Sequence, residues 1–323
     1  MVKDLTFRAP RAPLVAPGDA DLQARDMTAT FSAEMTLGEA QRRLAELGQW
    51  LPVDGSPSAT LGHLVETNST GPLRLGYGAW RDLLLGVQFT NGRGELVTAG
   101  GATVKNVAGY DLTKFMVGQH GVFGRVVTLT ARTYRRPDGA LLVRHRADLS
   151  ILPRLLDTPL RPTWALWTNL GLRLGYLGDE TTLAWYEANV PATGPVHVLR
   201  RTLDKDIEDR ANHWAWTLLA APPEAVPFRA SVPPAALVEL SRRLVHISWN
   251  ADAAFGIVVG WARNETERAT VRDAVAATGG SARFGRGASV DFSTNPAERQ
   301  IIERLKAAFD PDGNLSPLPW QKR

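Results

Sequence analysis

The run Gly100–Val127, GGATVKNVAGYDLTKFMVGQHGVFGRVV, constrains this chain more than any other stretch. It holds six glycines, a Lys105-Asn106 pair and a Tyr110-Asp111 step that opens a short helix. Glycine at this density belongs where backbone takes positive φ or comes close to another group. A flat, phosphate-bearing cofactor is one such group. Asp111 reads as the N-cap of a helix over Leu112–Val117, and Gly118 as the residue that closes it. Gly124–Arg135 alternates in character and predicts a long strand. Pro137-Asp138-Gly139 then makes a turn, and the domain boundary falls there.

Upstream, residues 1–26 are rich in Pro and Ala and read as an irregular arm. Met27–Met35 alternates as a half-buried strand. Thr36 caps a helix with Glu39 three residues on, a capping-box spacing, and Leu37, Ala40, Leu44 and Leu47 form its apolar stripe up to Gly48. Trp50–Val53 re-enters the core. Thr60-Leu61-Gly62 leads into a helical turn and the polar loop Asn68–Gly71, and Pro72–Trp80 reads as loop. Arg81–Thr90 is a continuous apolar strand, Asn91-Gly92 a hairpin turn, and Glu95–Thr98 the returning strand.

The second half carries eight of the ten tryptophans. Strands are expected over 141–145, 163–169, 172–177, 182–187, 196–200, 228–232, 245–249 and 255–262. Helices are expected over 204–219, 233–244, 265–278 and 296–309, with Pro233 and Pro296 in first turns. This mixture predicts an α+β layer rather than a wound parallel sheet. No internal repeat stands out. The domains expected are the arm 1–26, a first domain 27–138, a second 139–308, and a tail 309–323 that returns to the first.

Composition removes several function classes. A formal charge of +4 with no basic block longer than two arginines argues against nucleic acid, which needs clustered cations. The chain has no cysteine, so disulfides, thiolate metal sites, iron–sulfur ligation and thiol nucleophiles are out. The opening MVKDLTFRAPRAP has no apolar core of a signal peptide, and no apolar run reaches the roughly 20 residues of a membrane span. A cytoplasmic location is expected. Of the six histidines, none forms an H-x-H or H-E-x-x-H pair, and no metal site is expected.

The loops Thr60–Gly71 and Gly100–Val127 both set glycines and hydroxyls beside a helix start, where backbone N–H groups suit a pyrophosphate. Each also reads as a plain structural turn. Neither is a Rossmann fingerprint or a P-loop. His63 and His120 lie inside these loops.

Taken together, TLGHLVETNSTG, RDLLLGVQFTNGRGEL, VKNVAGYDLTKFMVGQHGVFGRV and LKAAFDPDGNLSPLPW resemble the FAD-linked oxidases of the vanillyl-alcohol-oxidase and p-cresol-methylhydroxylase (PCMH) type. Within that type they are most similar to the second flavin-domain component of bacterial glycolate oxidases. The resemblance covers residues 27–137 and the tail. It implies a PCMH-type FAD-binding domain, shortened at its N-terminal subdomain, followed by an α+β cap domain. By position, Thr60, Leu61, Gly62, Asn68, Gly71, Gly109, Gly118, Gly121, Gly124 and Val126 would line non-covalently bound FAD. His63, Lys105 and His120 are the candidates for moving a proton. His63 stands in place of the second glycine of TLGG, Glu66 in place of a small residue, and Ser316 and Leu318 in place of Asn and Gly.

The resemblance implies a component oxidising a small 2-hydroxy acid by hydride transfer to flavin. A catalytic flavin subunit and an iron–sulfur subunit would be its partners, and through them it would sit at the inner membrane. The alternative is a chain that keeps the flavin-domain fold without FAD and serves structure or binding.

Overall fold

The structure is a computed structural model that describes residues 12–101, 112–145, 149–168, 171–191, 196–214, 222–285 and 296–321. Lys105, Asn106, Gly109 and Asp111 lie outside the described residues. The chain divides into two compact units, one of Met1–Thr70, Gly78–Arg136 and Ser289–Arg323, the other of Gly71–Tyr77 and Pro137–Ala288.

In the first unit, β1 (Ala20–Gln23), β2 (Thr28–Ser32), β4 (Leu84–Thr90), β5 (Leu96–Gly100) and β6 (Arg125–Arg132) form an antiparallel sheet in the order β1-β2-β6-β4-β5. The stretch 1–26 is therefore not irregular throughout, because β1 pairs with β2. A ribbon of β3 (Gln49–Trp50) and β7 (Tyr134–Arg135) stands apart from this sheet.

Strand alternation sorts the side chains onto two faces. Ala29, Phe31, Val87, Phe89, Val97, Leu129 and Ala131 enter the core. There they meet Leu37, Ala40 and Leu44 of α1 (Leu37–Ala45), Leu61, Leu64 and Val65 of α2 (Leu61–Glu66), and Phe309 of the C-terminal helix Pro296–Phe309. The opposite face is polar yet buried. Thr30 and Thr130 share a hydrogen bond of 2.8 Å, and the Gln88 side chain accepts from Thr128 and donates to Thr98.

Several local expectations change. Thr36 caps α1 by accepting from the Glu39 N–H at 3.2 Å, but the Glu39 carboxylate turns outward to Arg43 and Arg42, and Leu47 is 45% exposed. The stretch 72–83, expected as loop running into strand, forms two single turns, α3 (Arg74–Tyr77) and α4 (Trp80–Leu83). Each is too short to show a period; α3 is held by buried Leu75, and α4 by buried Trp80 and Leu83. The hairpin after β4 is a longer turn than Asn-Gly: Asn91 Oδ1 accepts from the Arg93 and Glu95 N–H groups, and Gly94 takes the positive φ of 75°.

Gly92 serves another purpose. A Cβ there would sit 2.1 Å from Asp310 Oδ1, and its N–H donates to the Phe309 carbonyl at 2.8 Å. Downstream, α5 (Leu112–Phe115) is followed by Gly118 with φ +81°, as the expected helix closure requires.

The second unit is one antiparallel sheet of eight strands. Its strands are β8 (Gly139–His145), β9 (Trp164–Thr168), β10 (Gly171–Gly178), β11 (Val196–Thr202), β12 (Val226–Ser231), β13 (Ser248–Asp252), β14 (Ile257–Ala262) and β15 (Ser281–Phe284). Their order is β11-β8-β10-β9-β13-β14-β12-β15. With α6 (Ile151–Leu156), α7 (Glu180–Asn189), α9 (Leu237–Arg243) and α10 (Glu265–Ala277), the order resolves into two copies of one β-α-β-β-α-β motif. Each copy has its fourth strand beside its first, and β9 pairs with β13 to join them. The repeat is invisible in the sequence because the copies share topology and not residues.

Segment 182–187, expected as a strand, is inside α7. Asp179 caps this helix by accepting from the Thr182 N–H at 2.8 Å, and Leu183 and Tyr186, three apart, pack into the core, Tyr186 against Tyr176. α8 (Leu203–Trp214) lies on the face away from α7, where Trp164 donates to Asp206 at 3.2 Å. α11 (Pro296–Phe309) returns the chain to the first unit. Among the described residues no helix is long and apolar enough to cross a membrane.

The tail is fixed by one buried ammonium. Lys306 Nζ donates to the Val122 carbonyl at 2.9 Å, to the Ser316 carbonyl at 3.0 Å and to the Asp310 carboxylate. Burial alone would raise the Asp310 pKa, but Lys306 and the Leu315 and Asn314 N–H groups outweigh it and hold the carboxyl below the usual carboxylate range. Replacing Lys306 by Met would leave that carboxylate buried without its cation, a loss of about 3–5 kcal/mol. Urea unfolding of Lys306→Met should show the first unit melting well before wild type. An unshifted midpoint would contradict the clamp.

Candidate functional site

The expected site residues of the first unit gather where α2 meets the loop 118–124. Thr60 caps α2, its Oγ1 accepting from the His63 N–H at 3.4 Å. The next two N–H groups are occupied by protein: Leu61 donates to the Met35 carbonyl and Gly62 to the Ala33 carbonyl, both at 2.9 Å. Leu61 is fully buried, and a Cβ on Gly62 would come within 2.8 Å of the Ala33 methyl. The α2 N-terminus is therefore docked on the 33–35 turn and does not present these donors to a phosphate.

The C-terminal end of α2 holds the second loop. Gly118 donates to the Val65 carbonyl at 3.0 Å and His120 to the Glu66 carbonyl at 2.8 Å. Inside the loop, the buried Gln119 side chain donates to the Gly124 carbonyl and accepts from the Phe123 N–H. The backbone is left-handed at Asn68 (φ 47°), Gly118 (81°), His120 (55°) and Gly121 (75°). His120 carries a Cβ in this region, which is uncommon outside Gly although His, with Asn and Asp, is among the residues enriched there.

Each loop glycine faces a protein neighbour. A Cβ on Gly118 would meet Asn68 at 3.2 Å, on Gly121 the Ser316 hydroxyl at 3.2 Å, and on Gly124 the Phe89 ring at 2.5 Å. Val126 is a core residue whose N–H donates to Glu66 Oε1 at 2.8 Å. Gly71 is buried and belongs to the second unit, where its carbonyl accepts from Arg74. Lys105 and Gly109 are outside the described residues.

The structure brings His63, Glu66 and His120 together, although the sequence separates them by up to 57 positions (120 − 63). Glu66 carries no sequence signal of a working role, because nothing local announces its place opposite the Val126 N–H. Burial pushes its carboxyl above the ordinary carboxylate range, with the Val126 N–H, His63 and Arg125 pulling it partway back. Burial lowers the His120 imidazole below its ordinary value, and His63 adds to the effect. At neutral pH His120 is thus a neutral base beside an exposed histidine. Among the described residues no group of three or more His, Asp or Glu side chains could hold a metal ion.

Because the Glu66 pKa is raised on folding, the native state keeps this proton to higher pH than the unfolded chain. Its contribution is fully present below the unfolded value of 4.5 and is lost as pH rises through the folded pKa. Glu66→Gln keeps an acceptor for Val126 and removes the buried charge. The variant should therefore gain thermal stability over wild type as pH rises from 4.5, reaching a plateau above the folded pKa. A constant difference across the pH series would show that Glu66 does not titrate in this window.

Residues 18–100 match the FAD binding domain family. The chain is 36% identical over 109 residues to glycolate oxidase subunit GlcE of Escherichia coli (strain K12), a match covering 33% of this chain and 31% of that one. It is 36% identical over 114 residues to D-2-hydroxyglutarate dehydrogenase of Xanthomonas citri pv. viticola, covering 35% and 24%. It is 30% identical over 120 residues to glycolate oxidase subunit GlcD of Bacillus subtilis (strain 168), covering 36% and 26%. These matches thus span about a third or less of the relatives' own length. In three dimensions the chain is similar to alkyldihydroxyacetonephosphate synthase, with a TM-score of 0.67 at 15% identity over 92% of this chain and 64% of that one. The chain carries an FAD-binding domain, set in the α+β fold of the PCMH-type FAD-linked oxidases.

Proposed function

We propose that this chain is the FAD-binding subunit of an oxidoreductase that removes a hydride from a small 2-hydroxy acid. It would work beside a catalytic flavin subunit and an iron–sulfur subunit in a glycolate-oxidase-like complex, docked at the membrane through those partners. The observation that carries the reading is the FAD binding domain match over residues 18–100, with relatives named for glycolate, D-lactate and D-2-hydroxyglutarate.

When bound, FAD supplies the hydride acceptor. The chain's own part is to shape one wall of the groove and to receive a proton. In this proposal Asn68, Gly118, Gly121 and Gly124 set the course of the backbone along that wall, with Thr60, Leu61, Gly62 and Val126 as the scaffold behind it. Gly109 is a further proposed lining residue and Lys105 a further candidate for the proton path, and both lie outside the described residues. His120, neutral and left-handed in backbone, accepts the proton of the substrate hydroxyl, and His63 shares it.

A second reading is favoured by one observation. The Leu61 and Gly62 N–H groups, which a phosphate at this helix would use, are bonded to Met35 and Ala33. A flavin-domain fold serving a structural role would look the same at α2. Purified protein separates the two. Absorption at about 370 and about 450 nm supports the flavoprotein. A colourless protein that takes up no added FAD supports the second reading.

In the flavoprotein, His120→Asn keeps a residue tolerant of positive φ. It should slow flavin reduction by about a hundredfold while the melting temperature holds. Unchanged reduction kinetics in His120→Asn and His63→Asn would remove both from the proton path.

A further inference from the structure

The second unit's sheet ends in two strands that hold equivalent places and are finished differently. β11 and β15 are the fourth strands of the two motif copies, and each has a strand neighbour on one side only. β15 is four residues long and runs into Gly285, where φ is +112°. Short edge strands are one way in which a sheet avoids pairing with other chains. β11 is the reverse. It is seven residues long, contains no proline and pairs with β8 residue for residue without a bulge. Among the described residues nothing hydrogen-bonds to the outer side of its backbone. His197, Val198, Leu199 and Arg200 are all exposed, Val198 by 37% and Leu199 by 41%.

A straight row of unpaired N–H and C=O groups fits the backbone of another extended strand. Charge and register point to β11 of a second copy. The charges that would keep two such edges apart are tied back within each chain. Arg200 pairs with Glu180 at 2.7 Å and with Glu187 at 2.9 Å, both on α7, and Arg201 pairs with Asp209. Antiparallel pairing centred on Leu199 then sets Leu199 against Leu199, Val198 against Arg200 and His197 against Arg201. No arginine faces an arginine, and the aliphatic stem of each Arg200 covers a Val198. The two motif copies are already joined in the antiparallel manner, β9 to β13.

We propose that β11 is a homodimer interface, pairing with β11 of a second copy about a two-fold axis through Leu199 and extending the sheet across both chains. β11 lies within the second unit, so the pairing stands whether or not the first unit holds FAD. A single strand pair is a small interface, and association is expected in the micromolar range.

Sedimentation equilibrium of the full chain over that range tests the interface. Wild type should pass from the 35.2 kDa chain to twice that mass. Leu199→Lys opposes two ammonium groups and Leu199→Glu two carboxylates, and each alone should weaken the dimer by about tenfold. An equimolar mixture of the two should regain it, because lysine then faces glutamate. Wild type that stays monomeric overturns the proposal and leaves the edge to a strand of a different protein. A dimer as tight in Leu199→Lys as in wild type overturns it too, as does a mixture no tighter than either variant alone. If Leu199→Lys does not fold, Val198→Lys, which faces Arg200 of the second copy, takes its place and should weaken the dimer, while Val198→Glu should not.

Discussion

A single ammonium, Lys306 Nζ, closes the first unit. Its acceptors come from the glycine-rich loop (Val122), the tail (Ser316) and the residue just past its own helix (Asp310). Remove that charge and the glycine-rich loop, 184 residues away in sequence, loses its common point with the last helix and the tail. The neighbourhood is built to exclude water from it. Phe309 packs among Phe89, Phe115 and Phe123, and Leu318 is fully buried. An ion pair in such surroundings contributes little net stability compared with apolar packing, but its partners cannot be separated cheaply. Its main effect is therefore on geometry. It fixes where the loop 118–124 can lie, and through Gly118 and His120 it fixes the loop on α2.

This clamp explains the density of small residues. Gly62 admits Ala33, Gly92 admits Asp310, Gly121 admits Ser316 and Gly124 admits the Phe89 ring. In each case glycine brings two protein segments together. The elementary expectation, close approach or positive φ, holds, but the identity of the approaching group is not contained in it. A glycine-rich run signals crowding, and the sequence does not say whether the crowd is cofactor or protein.

The same distinction separates what is legible in the sequence from what is not. Strands β2, β6, β9, β10 and β12 are legible because alternation and burial coincide, and β4 because its run is continuously apolar. Helices α1 and α10 are legible because a cap and a 3.6-residue stripe coincide, and α11 because Pro296 marks its first turn. α7 is disguised because Thr182–Glu187 alternates by accident, while the decisive group is the Asp179 cap just before it. α3 and α4 are single turns below the length at which periodicity speaks. At the site, Thr60 and His120 can be flagged from their loops, but Glu66 acquires meaning only when Val126, 60 residues later, folds over it.

Arg144 and Arg173 are unreadable for a related reason. Neither sits in a basic run, and only the register of β8 against β10 sets them side by side. The duplicated motif places a helix layer on one face of the eight-stranded sheet, and the apolar residues Leu141, Val143, Leu172, Leu174 and Tyr176 are consumed there. Alternation then forces Arg144 and Arg173 onto the other face together. Two charges that repel are thus not brought together by any local preference. They are carried into opposition by the packing of their neighbours, and the sheet tolerates them because its core is built on the far side.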